Sequence, residues 1–253
     1  MQGKMKIWKK LNFPRLRNSA RIFERRFGTL LPTSMTQKKN GNCGFRAVLM
    51  SMGRPDMFWA ESRNLLLAEL KKHRFMYGLM FTKKGRSVIE KSLQWEKGPA
   101  PYKHWMVMPE TGYLIANAYE RPVHYLSWNQ TMTYLPMFCQ PNDNKPIQIA
   151  FLADSCHFVA YNSEVGAPVP PVVKGWTVHA TEEALGWEKR LGQRTNDFVN
   201  LFADVDNVPA FSDYHGRSFA FVSSGFWPFT LTFSCESTCR NFERQRRNRL
   251  LNK

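Results

Sequence analysis

Apolar positions change their spacing twice along the chain, and the changes divide it. From Cys43 onward, Phe45, Val48, Leu49 and Met52 recur at helical spacing until Gly53, Arg54 and Pro55 interrupt them. A second helix is predicted from Asp56 to about His73, with Trp59, Leu66, Leu67 and Leu70 on one side. The segment from Phe75 to Pro101 reads as helical in part, and `TGYLIANAYERP` as an amphipathic helix that ends before Pro122. The spacing then becomes strand-like. `VHYLSW` and `TMTYLPM` are each rich in β-branched and aromatic residues, and `PIQIAFLA` followed by `HFVAYN` predicts a hairpin about Ala153, Asp154 and Ser155. Helices followed by strands give an α+β domain with a small sheet.

The flanks read differently. Residues 1–34 form a basic arm with helical stretches, and residues 35–176 form the ordered domain, closed by the Pro-rich `GAPVPPVVKGW` running off in extended conformation. Residues 177–253 form an extension containing one predicted helix near Thr181, the aromatic run `FAFVSSGFWPFTLTF` and a basic tail. No internal repeat is present.

Composition supports a globular core: 43% of the 253 residues are hydrophobic and 14% aromatic, enough apolar surface to offset chain entropy. A formal net charge of +16, concentrated before residue 40 and at the extreme C-terminus, predicts attraction to nucleic acid or another acidic partner, with solvated basic tails as the plainer reading. Five dispersed cysteines argue against a disulfide scaffold and for reduced thiols in an intracellular protein, in cytoplasm or nucleus. No apolar run reaches the roughly 20 residues that span a bilayer, so no transmembrane segment is expected. The first 30 residues, Arg-rich with scattered Trp8, Leu11, Phe13, Leu16, Ile22 and Phe23, also fit a mitochondrial targeting segment, ranked below a basic tail.

Cys43 lies in `NGNCGFRAVLMSMG`, between a Gly/Asn turn and the first turn of a helix. The residues alone leave it open between a small buried side chain and a nucleophile. A helix N-terminus stabilises thiolate, and Gly41 and Gly44 let backbone approach a carbonyl closely, with amides free to hold an oxyanion. A base must come from elsewhere. His157 opens an apolar strand after a tight turn, and there it is equally open between a satisfied core histidine and a base aimed at Cys43. Trp105, Met106 and Met108 either pack the core or line the cleft. Cys235, Cys239 and His215 supply too few ligands for a zinc site, so no metal is expected.

These residues carry a resemblance. `NGNCGFRA` resembles the DGNCxFRA nucleophile motif of the ovarian tumour (OTU) cysteine proteases, and `HFVAYN` resembles their histidine strand, in the same order. `HWMVMPETGYLIANAYERPVHYLS` and `GAPVPPVVKGW` are similar in particular to the OTU-like domains of plant and fungal transposon-related proteins, so the resemblance covers about residues 36–176. It implies a papain-type fold with helices packed on a small, mostly antiparallel sheet. It also implies a cofactor-free deubiquitinase that cleaves isopeptide or peptide bonds at the C-terminus of ubiquitin or a ubiquitin-like modifier. Cys43 would attack, His157 would serve as base and then acid, and the amides of Gly41, Asn42 and Cys43 would hold the oxyanion.

One position departs from the pattern: Asn40 stands where the family commonly has Asp. An amide can fix a histidine tautomer but stabilises an imidazolium less than a carboxylate does. Some relatives place the third member two residues after the histidine, where this chain has Val159; Asp154 and Asn162 are the reserve candidates. The alternative reading that Asn40 favours is a weak or inactive OTU-like module of mobile-element origin that binds ubiquitin or nucleic acid.

Overall fold

The computed structural model of the chain describes residues 31–32, 40–127, 131–152 and 156–203. Five strands form one sheet in the order β1-β5-β4-β2-β3: β1 (Leu31–Pro32), β2 (Val123–Ser127), β3 (Met132–Tyr134), β4 (Ile147–Leu152) and β5 (His157–Asn162). Only β2 and β4 run parallel; the other pairings are antiparallel. The helices are α1 (Cys43–Ser51), α2 (Trp59–Lys72), α3 (Arg74–Met80), α4 (Lys83–Leu93), α5 (Glu110–Ala118), α6 (Trp176–His179), α7 (Gly186–Leu191) and α8 (Gln193–Ala203). The fold is α+β with a small sheet, as the change of spacing predicts, and the helices pack on a mostly antiparallel sheet, as the resemblance implies.

The predicted hairpin is the β4–β5 pair, registered Ile149 to Ala160 and Leu152 to His157. The turn residues, Asp154 among them, lie outside the described residues. Cys43 to Leu49 are buried throughout, because α1 packs along β5 and β4 on one side and against α2 on the other. α2 in turn meets α4 and α5. A buried polar chain ties α2, α3 and α5 together: Tyr77 Oη donates to Glu69 Oε1 (2.8 Å), Asn117 Nδ2 donates to Tyr77 Oη (2.7 Å), and Asn117 Oδ1 accepts the Met137 N–H (2.6 Å). Each buried polar atom that gains a partner avoids a desolvation cost of about 1–3 kcal/mol.

The Pro-rich stretch is extended, and it is pinned to the domain. Thr133 N–H donates to Pro171 O (2.8 Å), Val173 N–H donates to Thr133 O (3.0 Å), and Trp176, 1% exposed, donates its indole N–H to Leu135 O (2.9 Å). The chain continues to pack beyond it. The predicted helix near Thr181 is a 3-10 turn, Glu182–Leu185, followed by α7; Ala184, Trp187 and Leu191 belong to the same hydrophobic core as α1 and β4. The aromatic run, the basic C-terminal tail and residues 1–30 lie outside the described residues. No helix among the described residues is long and apolar enough to cross a membrane.

Candidate functional site

The turn Asn40–Asn42 delivers the chain into α1, and its geometry follows from its sequence. Gly41 sits at φ +78°, a left-handed conformation in which glycine carries no steric penalty. Asn40 Oδ1 accepts the Asn42 N–H at 3.3 Å, a side-chain bond that closes the turn locally. The Asn40 carbonyl accepts the Ala100 N–H at 2.7 Å, and Asn42 Nδ2 donates to Gly98 O at 2.9 Å. Trp105 lies against Gly41 and donates its indole N–H to Ala100 O at 3.0 Å. Met106, 2% exposed, packs against Gly44, where an added Cβ would meet its side chain. Of the three residues left open between core and cleft, Trp105 and Met106 therefore brace the two glycines that flank Cys43.

Cys43 is the first residue of α1 and is 6% exposed. The backbones of Phe158 on β5, of Gly44 and of Cys43 itself surround the sulfur and favour its charged form. Burial pushes the thiol above its ordinary range; the three amides and the nearby Arg63 guanidinium pull the other way without reversing it. The resting group is a neutral thiol set among donors that match a thiolate. Of the remaining described cysteines, Cys139 is free.

His157 opens β5 at 5% exposure, directly before Phe158. Because α1 packs along β5, the fold carries the strand of the histidine to the nucleophile helix from far along the chain. His157, Val159 and Tyr161 alternate along β5 with Phe158 and Ala160, and all five are buried.

The other expected site residues fall in different places. Asn40 lies on the turn, half-buried, with its side-chain carbonyl on Asn42. Asn162 is exposed at the far end of β5, registered with Leu31 of β1. Asp154 lies outside the described residues, as do Cys235, Cys239 and His215. Of the backbone amides expected to hold an oxyanion, that of Asn42 donates to Asn40 Oδ1.

Arg63 is a participant that sequence reasoning missed. It is fully buried in α2, with Nη2 on Asn42 Oδ1 (2.7 Å) and on Gly41 O (3.4 Å), and Nη1 on Ser92 O. A signal was present. Trp59, Arg63, Leu66 and Leu70 follow one another at spacings of four, three and four, so Arg63 stands on the apolar stripe of its helix.

No family model and no curated protein matches the chain. Among solved structures, the chain is similar to the OTU domain of OTUD1, with 14% identity and a TM-score of 0.39 over 60% of this chain and 97% of that domain.

Proposed function

We propose that the chain is an OTU-like cysteine hydrolase of papain type acting at the C-terminus of ubiquitin or a ubiquitin-like modifier. The observation that carries this reading is the packing of α1 along β5, which sets buried Cys43, at a helix N-terminus, against the strand that buried His157 opens. The paired `NGNCGFRA` and `HFVAYN` motifs supply the substrate class, and the intracellular setting follows from that class. In the reaction, His157 removes the Cys43 thiol proton as the sulfur attacks the scissile carbonyl carbon. The tetrahedral oxyanion collapses as the imidazolium protonates the departing lysine amine, leaving a thioester. Water, deprotonated by His157, then cleaves the thioester to a carboxylate and restores the thiol. No cofactor enters. The donors already gathered around the sulfur favour the thiolate that burial alone opposes.

Ubiquitin bearing a C-terminal electrophile tests the reading. Wild-type protein is expected to form a covalent adduct that Cys43→Ala abolishes, and His157→Ala is expected to slow labelling by about 10²–10⁴-fold, the usual contribution of a general base. Labelling that survives Cys43→Ala would sink the assignment. Asn40 has a distinct expectation. Its side chain closes the nucleophile turn, so Asn40→Ala should slow adduct formation and Asn40→Asp should restore it, because a carboxylate can accept the same Asn42 N–H. An Asn40→Ala variant that labels at the wild-type rate would transfer the third role to Asp154.

A second reading, a binding module with a silent site, is favoured by the upward shift of the Cys43 thiol. It predicts no adduct, together with ubiquitin binding or salt-sensitive nucleic-acid binding that falls on removing residues 1–34 and 240–253.

A further inference from the structure

Arg63 is a charge in the interior of the domain, at 0% exposure. Such a group persists in a fold only where hydrogen bonds or an opposite charge compensate its lost hydration. No carboxylate does so among the described residues, whose ion pairs are Arg46 with Asp56, His73 with Glu69 and Arg190 with Asp143. The guanidinium instead binds neutral oxygens, two of them on the residues immediately before Cys43. Its carbon lies 3.9 Å from the centre of the Phe45 ring, two residues after Cys43, an arrangement in which the ring face also favours the cation. Its Nε has no hydrogen-bond partner among the described residues. The acidic group in its field is the Cys43 thiol, and each of the two favours the charged form of the other.

We propose that Arg63 is a positioning residue for Cys43: its buried cation holds the Gly41–Asn42 turn by hydrogen bonds and supplies the positive charge against which the thiolate forms. The inference rests on the reading of Cys43 as the nucleophile. Burial lowers the Arg63 guanidinium from its ordinary value to about 9, which leaves it protonated at neutral pH and able to act in this way. The neighbouring amides offer only partial charges, fixed in direction by the backbone, whereas Arg63 supplies a full charge together with the geometry of the turn. A lysine at this position keeps the charge and loses the planar fork; a glutamine keeps a donor and loses the charge.

The test is the rate of carboxamidomethylation of the Cys43 peptide by iodoacetamide as a function of pH, followed by mass spectrometry in the full chain. Arg63→Gln is expected to move the midpoint to higher pH and slow alkylation at pH 7 by about 10-fold, which corresponds to one pH unit of lost thiolate stabilisation. Arg63→Lys is expected to hold the wild-type midpoint while slowing adduct formation with the ubiquitin electrophile, since the turn loses its fork. An Arg63→Gln midpoint equal to that of wild type, or an Arg63→Lys midpoint shifted as far as that of Arg63→Gln, overturns the proposal. Should Arg63→Gln not fold, the wild-type protein decides. The Arg63 side-chain ¹⁵N resonances should titrate with the alkylation midpoint and lie flat in Cys43→Ala, and flat resonances in wild type overturn the proposal as well. The two readings fail separately. A wild-type chain that forms no ubiquitin adduct but shows the Arg63→Gln shift loses the substrate and keeps the positioning residue; an adduct without the shift does the reverse.

Discussion

Alanine at position 41 is expected to destabilise the protein by roughly 2–5 kcal/mol and to displace Cys43 in whatever folded protein remains. Two costs add. The backbone sits at φ +78°, where a residue with a Cβ loses about 1–2 kcal/mol relative to glycine. The new Cβ would also run into the Ala100 carbonyl oxygen and the Trp105 indole, and forcing a group into a packed site costs typically 1–3 kcal/mol. Neither neighbour moves freely, because Ala100 is bonded through its amide to Asn40 and through its carbonyl to Trp105. Relief has to come from the turn itself, which carries Asn42 off Arg63 and Cys43 off β5. Against a typical total stability of about 5–15 kcal/mol the loss is large. Gly53→Ala is the control: φ is +71° and no atom lies within 4 Å of the added Cβ, so only the conformational cost of about 1–2 kcal/mol applies and Cys43 chemistry is untouched. Denaturation midpoints and Cys43 alkylation rates, measured on both variants, check the pair. Equal losses in the two would show that the Ala100–Trp105 wall does not constrain the turn.

That wall is also the part of the site least legible in the sequence. The elements that carry Cys43 and His157 announce themselves locally. Phe45, Val48 and Leu49 repeat at helical spacing, and the alternation of `HFVAYN` after an Ala-Asp-Ser turn needs no knowledge of partners. The bracing of the turn is tertiary. Gly98, Ala100 and Trp105 lie in a stretch without periodicity, and the bonds of Gly98 and Ala100 to Asn42 and Asn40, like the Trp105 indole against Gly41, depend on where α4 and α5 place that stretch. Arg63 was hidden for another reason: a single arginine within `AESRNLL` reads as a solvated charge unless its place on the apolar stripe is weighed above its chemistry. Trp187 is similar. In sequence it belongs to a weak helix beyond a Pro-rich break, yet its indole N–H donates to Cys139 O at 2.9 Å and its ring is 2% exposed. Aromatic residues past an apparent boundary carry little local signal, because their burial is decided by surfaces formed far upstream.

Acidification should weaken the fold through His124, and by an amount comparable to the Gly41→Ala loss. This imidazole is 1% exposed on β2, opposite Thr133 of β3. Its Nδ1 lies 3.0 Å from Thr133 Oγ1, and the Thr133 hydroxyl donates to Pro170 O at 2.7 Å. With its hydrogen committed to Pro170, the hydroxyl can only accept, so Nδ1 carries the proton of a neutral ring. Burial, and then the charge of Arg194, lower its pKa from the ordinary 6.5 to about 3. The sign follows from proton uptake. Above about pH 6.5 neither state binds this proton and His124 contributes nothing to pH dependence. Below it the unfolded chain takes up a proton that the folded chain refuses, so stability falls by about 1.4 kcal/mol per pH unit until about pH 3, a loss on the order of 4–5 kcal/mol. Urea unfolding of wild type and His124→Gln between pH 7 and pH 3 separates this loss from that of the carboxylates, which both proteins share. Glutamine keeps an amide donor for Thr133 and cannot titrate, so its slope should be shallower by the His124 share, and parallel slopes would remove His124 from the account. The consequence reaches the site through the sheet. β2 pairs with β4, and β4 holds β5, so protonation that parts β2 from β3 loosens the frame carrying His157.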